Sequence, residues 1–198
     1  PVFLEGFRIG DGAYNPIVII GAITILIAAF LAFVQTDLKK LLSYSTVSQI
    51  GYMVMALGCG AWTAAMFHLF THAFSKALLF LNAGALSNST HGFDIERDMG
   101  GLRKPMPITH ATFVVGALGM IGVIPLSGFF SKELIAEEIG ADGYFWFQAV
   151  AVLGTFLTAA YMMRCYYFVF LGEHRGSSVP HEATRPLTVP LIILCVLT

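Results

Sequence analysis

The chain has 198 residues, 57% of them hydrophobic and 12% charged, with a net charge of -1; an ordinary soluble domain is about a quarter charged. The charges cluster so that residues 12–36, 41–75, 105–131 and 143–163 contain no Asp, Glu, Lys or Arg, and a helix needs only about 20 apolar residues to cross a hydrocarbon core of roughly 30 Å. A water-soluble fold is thereby excluded, and the near-neutral charge without a basic run removes the electrostatic footprint of a nucleic-acid binder.

In chain order, the first predicted span is 14–34, ending at the polar knot Thr36-Asp37-Leu38-Lys39-Lys40. The next charge-free window is too long for one helix and is cut by Gly58-Cys59-Gly60, a breaker cluster suited to a tight turn. Two spans follow from it, 41–57 and 61–86. A polar loop, 87–104, closes at Pro105 and Pro107. The fourth span, 108–139, carries Ile124-Pro125-Leu126-Ser127-Gly128 in its middle and reads as a broken helix near 124–128, because proline removes a donor and clashes with the preceding turn. Gly116, Gly119 and Gly122 before it read as small-residue packing contacts. The fifth span is 144–171, and a sixth begins at 186 and runs to 198. The fold class expected is all-α: a single polytopic transmembrane helix bundle of about six helices, one of them broken. The first residue is Pro1 and the last, Thr198, lies within an apolar run, so the chain is expected to be an internal piece of a longer polypeptide.

The loops at 37–40, 87–104 and 172–185 carry seven Lys and Arg, against Arg8 alone on the alternating side. By the positive-inside rule the basic loops are expected to face the cytoplasm and residues 1–11 the outer side. Cys59, Cys165 and Cys195 are far apart in sequence and make no metal or disulfide pattern. Neither a Cys-x-x-Cys pair nor a phosphate-binding glycine loop is visible, so no redox cofactor is expected in the chain itself.

A charge near the bilayer centre costs about 2.5–3.5 kcal/mol on insertion scales, which singles out the ionisable groups inside the spans. His68, His72 and Lys76 recur every four residues, and at 100° per residue they fall within about 80° of one another on one helix face. Thr71 and Ser75 lie at or beside that face. Imidazole both donates and accepts hydrogen bonds and titrates near neutrality in water, so this stripe has the chemistry of a proton relay. Lys132 follows the proposed break by four residues, with Glu133 beside it, and a broken helix leaves backbone dipoles and room for water around an amine. Arg164 lies near the cytoplasmic end of its span, where a long side chain snorkels to the interface. Asp37 and Lys39 read first as a solvated boundary, with Asp37 placed to pair with a basic group on a neighbouring helix at the mouth of a proton route.

Four strings taken together, the one from Gln35 to Tyr52, Phe67-His68-Leu69-Phe70-Thr71-His72-Ala73-Phe74-Ser75-Lys76 with the apolar run after it, Met99-Gly100-Gly101-Leu102, and Ser127-Gly128-Phe129-Phe130-Ser131-Lys132-Glu133, resemble the antiporter-like membrane subunits of proton-translocating NADH:quinone oxidoreductase (respiratory complex I), of the distal L type. The likeness covers nearly all of residues 14–175. Such a subunit contains two inverted five-helix repeats, each with a broken helix, and the resemblance implies that this chain holds the second. It further implies proton translocation through His68, His72, Lys76 and Lys132, with Asp37, Lys39 and Glu133 in support, driven by quinone reduction elsewhere. NADH, FMN, iron–sulfur clusters and quinone would then belong to partner subunits, and the partners would be adjacent antiporter-like subunits and the lipid bilayer. The location implied is an energy-converting membrane, the bacterial cytoplasmic membrane first. Ser75 stands where relatives often carry Phe, and Glu133 where Asp is common. The Mrp-type cation/proton antiporter subunits and the membrane-bound hydrogenases share the scaffold and are the alternative homes.

Overall fold

The computed structural model describes residues 15–141, 143 and 145–198; the outer-side placement expected for residues 1–11 lies outside them. The described residues form seven helices: α1 Pro16–Val34, α2 Leu38–Cys59, α3 Trp62–Thr90, α4 Pro107–Ile121, α5 Ser127–Ala141, α6 Phe145–Phe170 and α7 Arg185–Leu197. α1, α3 and α6 are long and apolar enough to cross a membrane by length and composition, while α4 and α7 are shorter apolar helices.

Local chemistry sets the boundaries. Asn15 caps α1 by accepting from the Ile17 N–H at 3.0 Å, with Pro16 at the first helical position. Asp37 caps α2 by accepting from the Lys40 N–H at 2.9 Å, so that helix starts three residues before Leu41 and takes Lys39 and Lys40 into its exposed first turn. Gly60 ends it in the left-handed conformation that glycine adopts without a Cβ penalty. α3 continues a turn past Leu86, because Ser87 to Thr90 still bond in the helical pattern, and stops at His91, also left-handed. The break between α4 and α5 begins at Gly122, whose N–H bonds the Leu118 carbonyl at φ 87°. Gly122 therefore ends α4 and also packs as expected, since a Cβ there would lie 3.3 Å from the Gly128 carbonyl oxygen. Gly116 and Gly119 do pack, with Leu78 and Leu79 facing the first and Ser75 facing the second.

α1 and α2 lie against each other through glycine. A Cβ at Gly21 would come within 2.5 Å of the Met55 backbone nitrogen, and one at Gly51 within 2.9 Å of the Gly21 carbonyl oxygen, so a larger side chain at either forces two backbones apart. The outward face of α1 shows Ile20, Ile23, Ile27 and Phe30, and that of α6 shows Trp146, Phe156 and Met163, the surfaces an apolar solvent would cover.

The connections at 35–37, 91–106 and 171–184 meet at one end of the bundle. The Leu38 N–H bonds the Phe93 carbonyl, the Ile95 N–H bonds the Thr36 carbonyl, and the Gly101 N–H bonds the Leu171 carbonyl. The 91–106 connection is more than a polar loop: Ile95, Met99, Leu102 and Met106 are fully buried and close the end of the core between Leu41, Leu86 and Phe170. Both tryptophans, Trp62 and Trp146, are exposed at the starts of α3 and α6, at the opposite end of the bundle, where an amphipathic ring suits a membrane–water boundary.

Candidate functional site

α3 runs through the middle of the bundle, against α2, α4, α5 and α7. The helical period therefore carries His68, His72 and Lys76 inward together: all three are buried, as are Thr71 and Ser75. His68, Thr71 and Lys76 are answered from other helices. His68 Nδ1 lies 2.9 Å from the Ser131 hydroxyl of α5, and its Nε2 lies 3.1 Å from Gln49 Oε1 of α2. The Gln49 amide in turn donates to Thr158 of α6 at 3.2 Å, and the Thr71 hydroxyl donates to Ser131 at 3.0 Å. The Lys76 amine donates to the Leu42 carbonyl at 2.8 Å and to the Ser45 hydroxyl. His72 stacks on His68 with ring centroids 5.9 Å apart, and its Nε2 is buried with no hydrogen-bond partner among the described residues.

Lys132 occupies the break. With α4 stopped at Ile121, its last carbonyls lack helical donors, and the Lys132 amine reaches back to the Met120 carbonyl at 2.7 Å and the Ile121 carbonyl at 3.4 Å. A helix C-terminus carries roughly half a negative charge, which favours a cation there. The amine also lies 5.5 Å from the ring centre of Tyr52, whose own ring is 6.0 Å from that of His68. Tyr52 thus stands between the lysine and the first histidine, its hydroxyl donating to the Ala151 carbonyl at 2.6 Å. A cleft of about 270 Å³ opens beside Lys132, lined among others by Tyr52, Phe129, Glu133 and Thr155.

The sequence-predicted residues divide clearly. His68, His72, Lys76 and Lys132 converge on one buried region. Glu133, a 100° turn away from Lys132, is exposed at the rim of the cleft. Asp37 and Lys39 sit at the loop end, where the Asp37 carboxylate caps α2 in place of the inter-helix pairing expected of it. Arg164, expected to snorkel, reaches into the loops: one guanidinium nitrogen donates to the Gln35 carbonyl at 2.8 Å and another meets Glu96 at 2.7 Å. No His/Cys/Asp/Glu group among the described residues is arranged to hold a metal.

Sequence reasoning passed over Ser45, Gln49, Tyr52, Ser131, Thr158 and Tyr161. Tyr161 is fully buried with its hydroxyl close to Ser45, Gln49 and Thr158, between the Lys76 and His68 ends of the polar region, and it makes no hydrogen bond among the described residues. The available signal was spacing: Ser45, Gln49 and Tyr52 recur at helical intervals in a window free of charge, so they share one face of α2.

The arrangement is a file of amines, imidazoles, hydroxyls and one amide at mid-bundle, assembled where a helix is interrupted. The transmembrane family described as "NADH:quinone oxidoreductase/Mrp antiporter, TM" matches residues 3–158. The chain belongs to that family. Among its relatives, the NAD(P)H-quinone oxidoreductase subunit 5 of the Mesostigma viride chloroplast is 46% identical over 193 residues, covering 88% of this chain and 29% of the relative. NADH-quinone oxidoreductase subunit L of Rickettsia typhi is 45% identical over 190 residues, covering 91% and 29%. The chain therefore spans less than a third of the length of these curated relatives. A chain of the archaeal membrane-bound sulfane sulfur reductase, a respiratory membrane complex, superposes with a TM-score of 0.86 at 34% identity over 92% of this chain and 31% of its own. One from the Mrp complex of Dietzia sp. DQ12-45-1b gives 0.86 at 24% identity, over 92% and 43%, and speaks to the fold alone. The chain is thus an all-helical membrane segment of the antiporter-like family.

Proposed function

We propose that this segment moves protons across an energy-converting membrane as part of an NADH:quinone oxidoreductase membrane subunit, through Lys76, His72, His68 and Lys132. The observation that carries this reading is that two buried amines, on α3 and α5, are held by carbonyls and a hydroxyl, with the two histidines, Ser131 and Gln49 between them. Carbonyls and a hydroxyl hold a charged amine without the full counter-charge of a carboxylate to trap its proton. Two unit charges 4 Å apart repel by about 4 kcal/mol at an effective dielectric constant of 20 and by proportionally less when farther apart, so a proton arriving on one site favours departure from the next. Support for the redox-linked home comes from the oxidoreductase names of the relatives at 45–46% identity. In that setting the quinone chemistry, with NADH, FMN and iron–sulfur clusters, resides in partner subunits, and adjacent antiporter-like subunits flank this one. The basic loop end faces the cytoplasm or its equivalent, in a bacterial cytoplasmic membrane or an organelle derived from one.

The test is Lys132→Ala in the full-length subunit within its complex, assayed as pumped protons per electron in sealed vesicles. A fall with Lys132→Ala that Lys132→Arg does not recover is expected, because a guanidinium keeps its proton; unchanged pumping rejects the assignment. The same scaffold in the Mrp complex keeps a second reading in view, a cation/proton antiporter subunit, which predicts sodium-gradient-driven proton flux without NADH or quinone.

A further inference from the structure

α3 carries a second polar line that the proposed relay does not use. Measured from His68 at 100° per residue, Thr71, Ser75, Asn82 and Ser89 all fall within about 60° of it, on the side turned away from Lys76. All four are buried. The two lines share His68 and diverge: one leads to Lys76 and α2, the other faces α4 and the 171–184 connection.

On that second side, polar groups are linked from the loop end inward. Glu182 accepts from the Ile108 N–H at 2.7 Å, from the Thr109 N–H at 3.4 Å and from the Thr109 hydroxyl at 2.5 Å. The Thr112 hydroxyl, a turn deeper, donates to Asn82 Oδ1 at 2.9 Å. Ser89 fixes the same connection by accepting from the His181 N–H at 2.8 Å. Thr109 and Asn82 are fully buried and Thr112 nearly so, whereas Glu182 is half-buried at the surface. At the inner end, Ser75 bonds the Thr71 carbonyl at 3.4 Å and Thr71 bonds Ser131, the partner of His68.

The gap lies between Asn82 and Ser75, two turns or about 10 Å along the axis. Leu78 and Leu79, both fully buried, lie in that stretch, and α4 comes close to them at Gly116: a Cβ there would sit 3.1 Å from Leu79 and 3.3 Å from Leu78. Gly119 likewise leaves Ser75 its space, since a Cβ there would be 3.0 Å from the hydroxyl. The two leucine side chains, packed where α4 carries Gly116, make a constriction between the two polar ends.

We propose that Glu182, Thr109, Thr112, Asn82 and Ser75 form a second water and proton access branch from the loop end of the bundle to His68, closed in this structure by Leu78 and Leu79 against Gly116. Building on the relay proposed above, the branch adds a supply route to its histidine end that bypasses Lys76. Protons pass from bulk water to the Glu182 carboxylate and on through water held by the hydroxyls and the amide, each of which donates and accepts in turn.

Accessibility tests the branch apart from pumping. In the full-length subunit within its complex, with Cys59, Cys165 and Cys195 replaced by Ala, Thr112→Cys and Ser75→Cys are exposed to a small water-soluble thiol reagent from the loop side of sealed vesicles. Thr112→Cys is expected to react, Ser75→Cys at least about tenfold more slowly, and Leu78→Ala to recover most of that difference, a change of about 1.4 kcal/mol in barrier. Failure of Thr112→Cys to react in a complex that still oxidises NADH, or of Leu78→Ala to speed Ser75→Cys, overturns the branch. Glu182→Gln keeps an acceptor oxygen for the Ile108 and Thr109 N–H groups. It is expected to slow proton uptake from the loop side about threefold with the fold intact; an unchanged rate reduces Glu182 to a helix cap and overturns its access role. Retained pumping in Lys132→Ala defeats the relay without touching the thiol result, so the two readings fail separately.

Discussion

Lys132 and Arg164 are both cations on helices within the apolar part of the chain, yet they are held in opposite ways. Lys132 is 8% exposed and rests on the carbonyls of Met120 and Ile121 beside an aromatic ring. Arg164, with 18% of its side chain exposed, reaches a carboxylate on Glu96 and the Gln35 carbonyl at the loop end. The arginine stays charged under all ordinary conditions and is locked to an anion, which suits fastening. The lysine sits among neutral acceptors that tolerate either protonation state. Lys76, bonded to Leu42 and Ser45, belongs with Lys132, so within one small bundle two cations rest on neutral acceptors and a third is fastened to an anion.

The sharpest way to break this contrast is Lys76→Met. Met keeps an unbranched stem of similar length and removes the cost of burying a charge, while the proposed relay loses its amine. Proton translocation in vesicles is expected to fall at least about tenfold, equivalent to about 1.4 kcal/mol, with normal assembly; intact transport would place Lys76 with Arg164. Arg164→Ala should do the reverse. Losing its charged hydrogen bonds, partly screened by water, is expected to cost about 1–2 kcal/mol of thermal or denaturant stability, and transport per assembled complex should stay within about twofold.

Gln49→Leu sharpens the comparison at lower amplitude. It leaves His68 Nε2 without its acceptor and parts α2 from Thr158, so transport should slow by about threefold to tenfold while NADH oxidation by the complex continues. Glu96→Gln is the smallest change. Glu96 is 41% exposed in its ion pair, and pairs of that kind contribute about 0–1 kcal/mol, so a melting-point shift above a few degrees would mean that the Arg164 fastening does more than hold loops.

The buried stripe on α3 is legible in the sequence because its period is the helix period: His68, His72 and Lys76 need only the 100° step to line up. Gly58-Cys59-Gly60 likewise announces a turn, and Pro125 announces a break. The residues that answer the stripe are less legible. Gln49, Thr158 and Tyr161 meet His68 and Ser45 only because three helices pack together, and neutral hydroxyls or amides in an apolar window carry no charge to mark them. Caps hide in the same way. Asp37 reads as a free charge until its bond to the Lys40 N–H turns it into the start of α2, and Gly122 reads as a packing residue alone until its left-handed backbone makes it the end of α4 as well. Glu182 lies more than seventy residues from Ile108 and Thr109, so its tie to them emerges from the fold alone.

The interruption at Gly122 also bears on lipid. α4 and α5 hold 15 residues each, about 22 Å of helix apiece, so each alone falls short of a leaflet pair about 30 Å thick. Longer acyl chains pull on the seam where the two segments meet, at a cost of fractions of a kcal/mol per Å. Thick and thin bilayers should therefore load the grip of Met120 and Ile121 on the Lys132 amine differently, making membrane thickness a mechanical input to that contact.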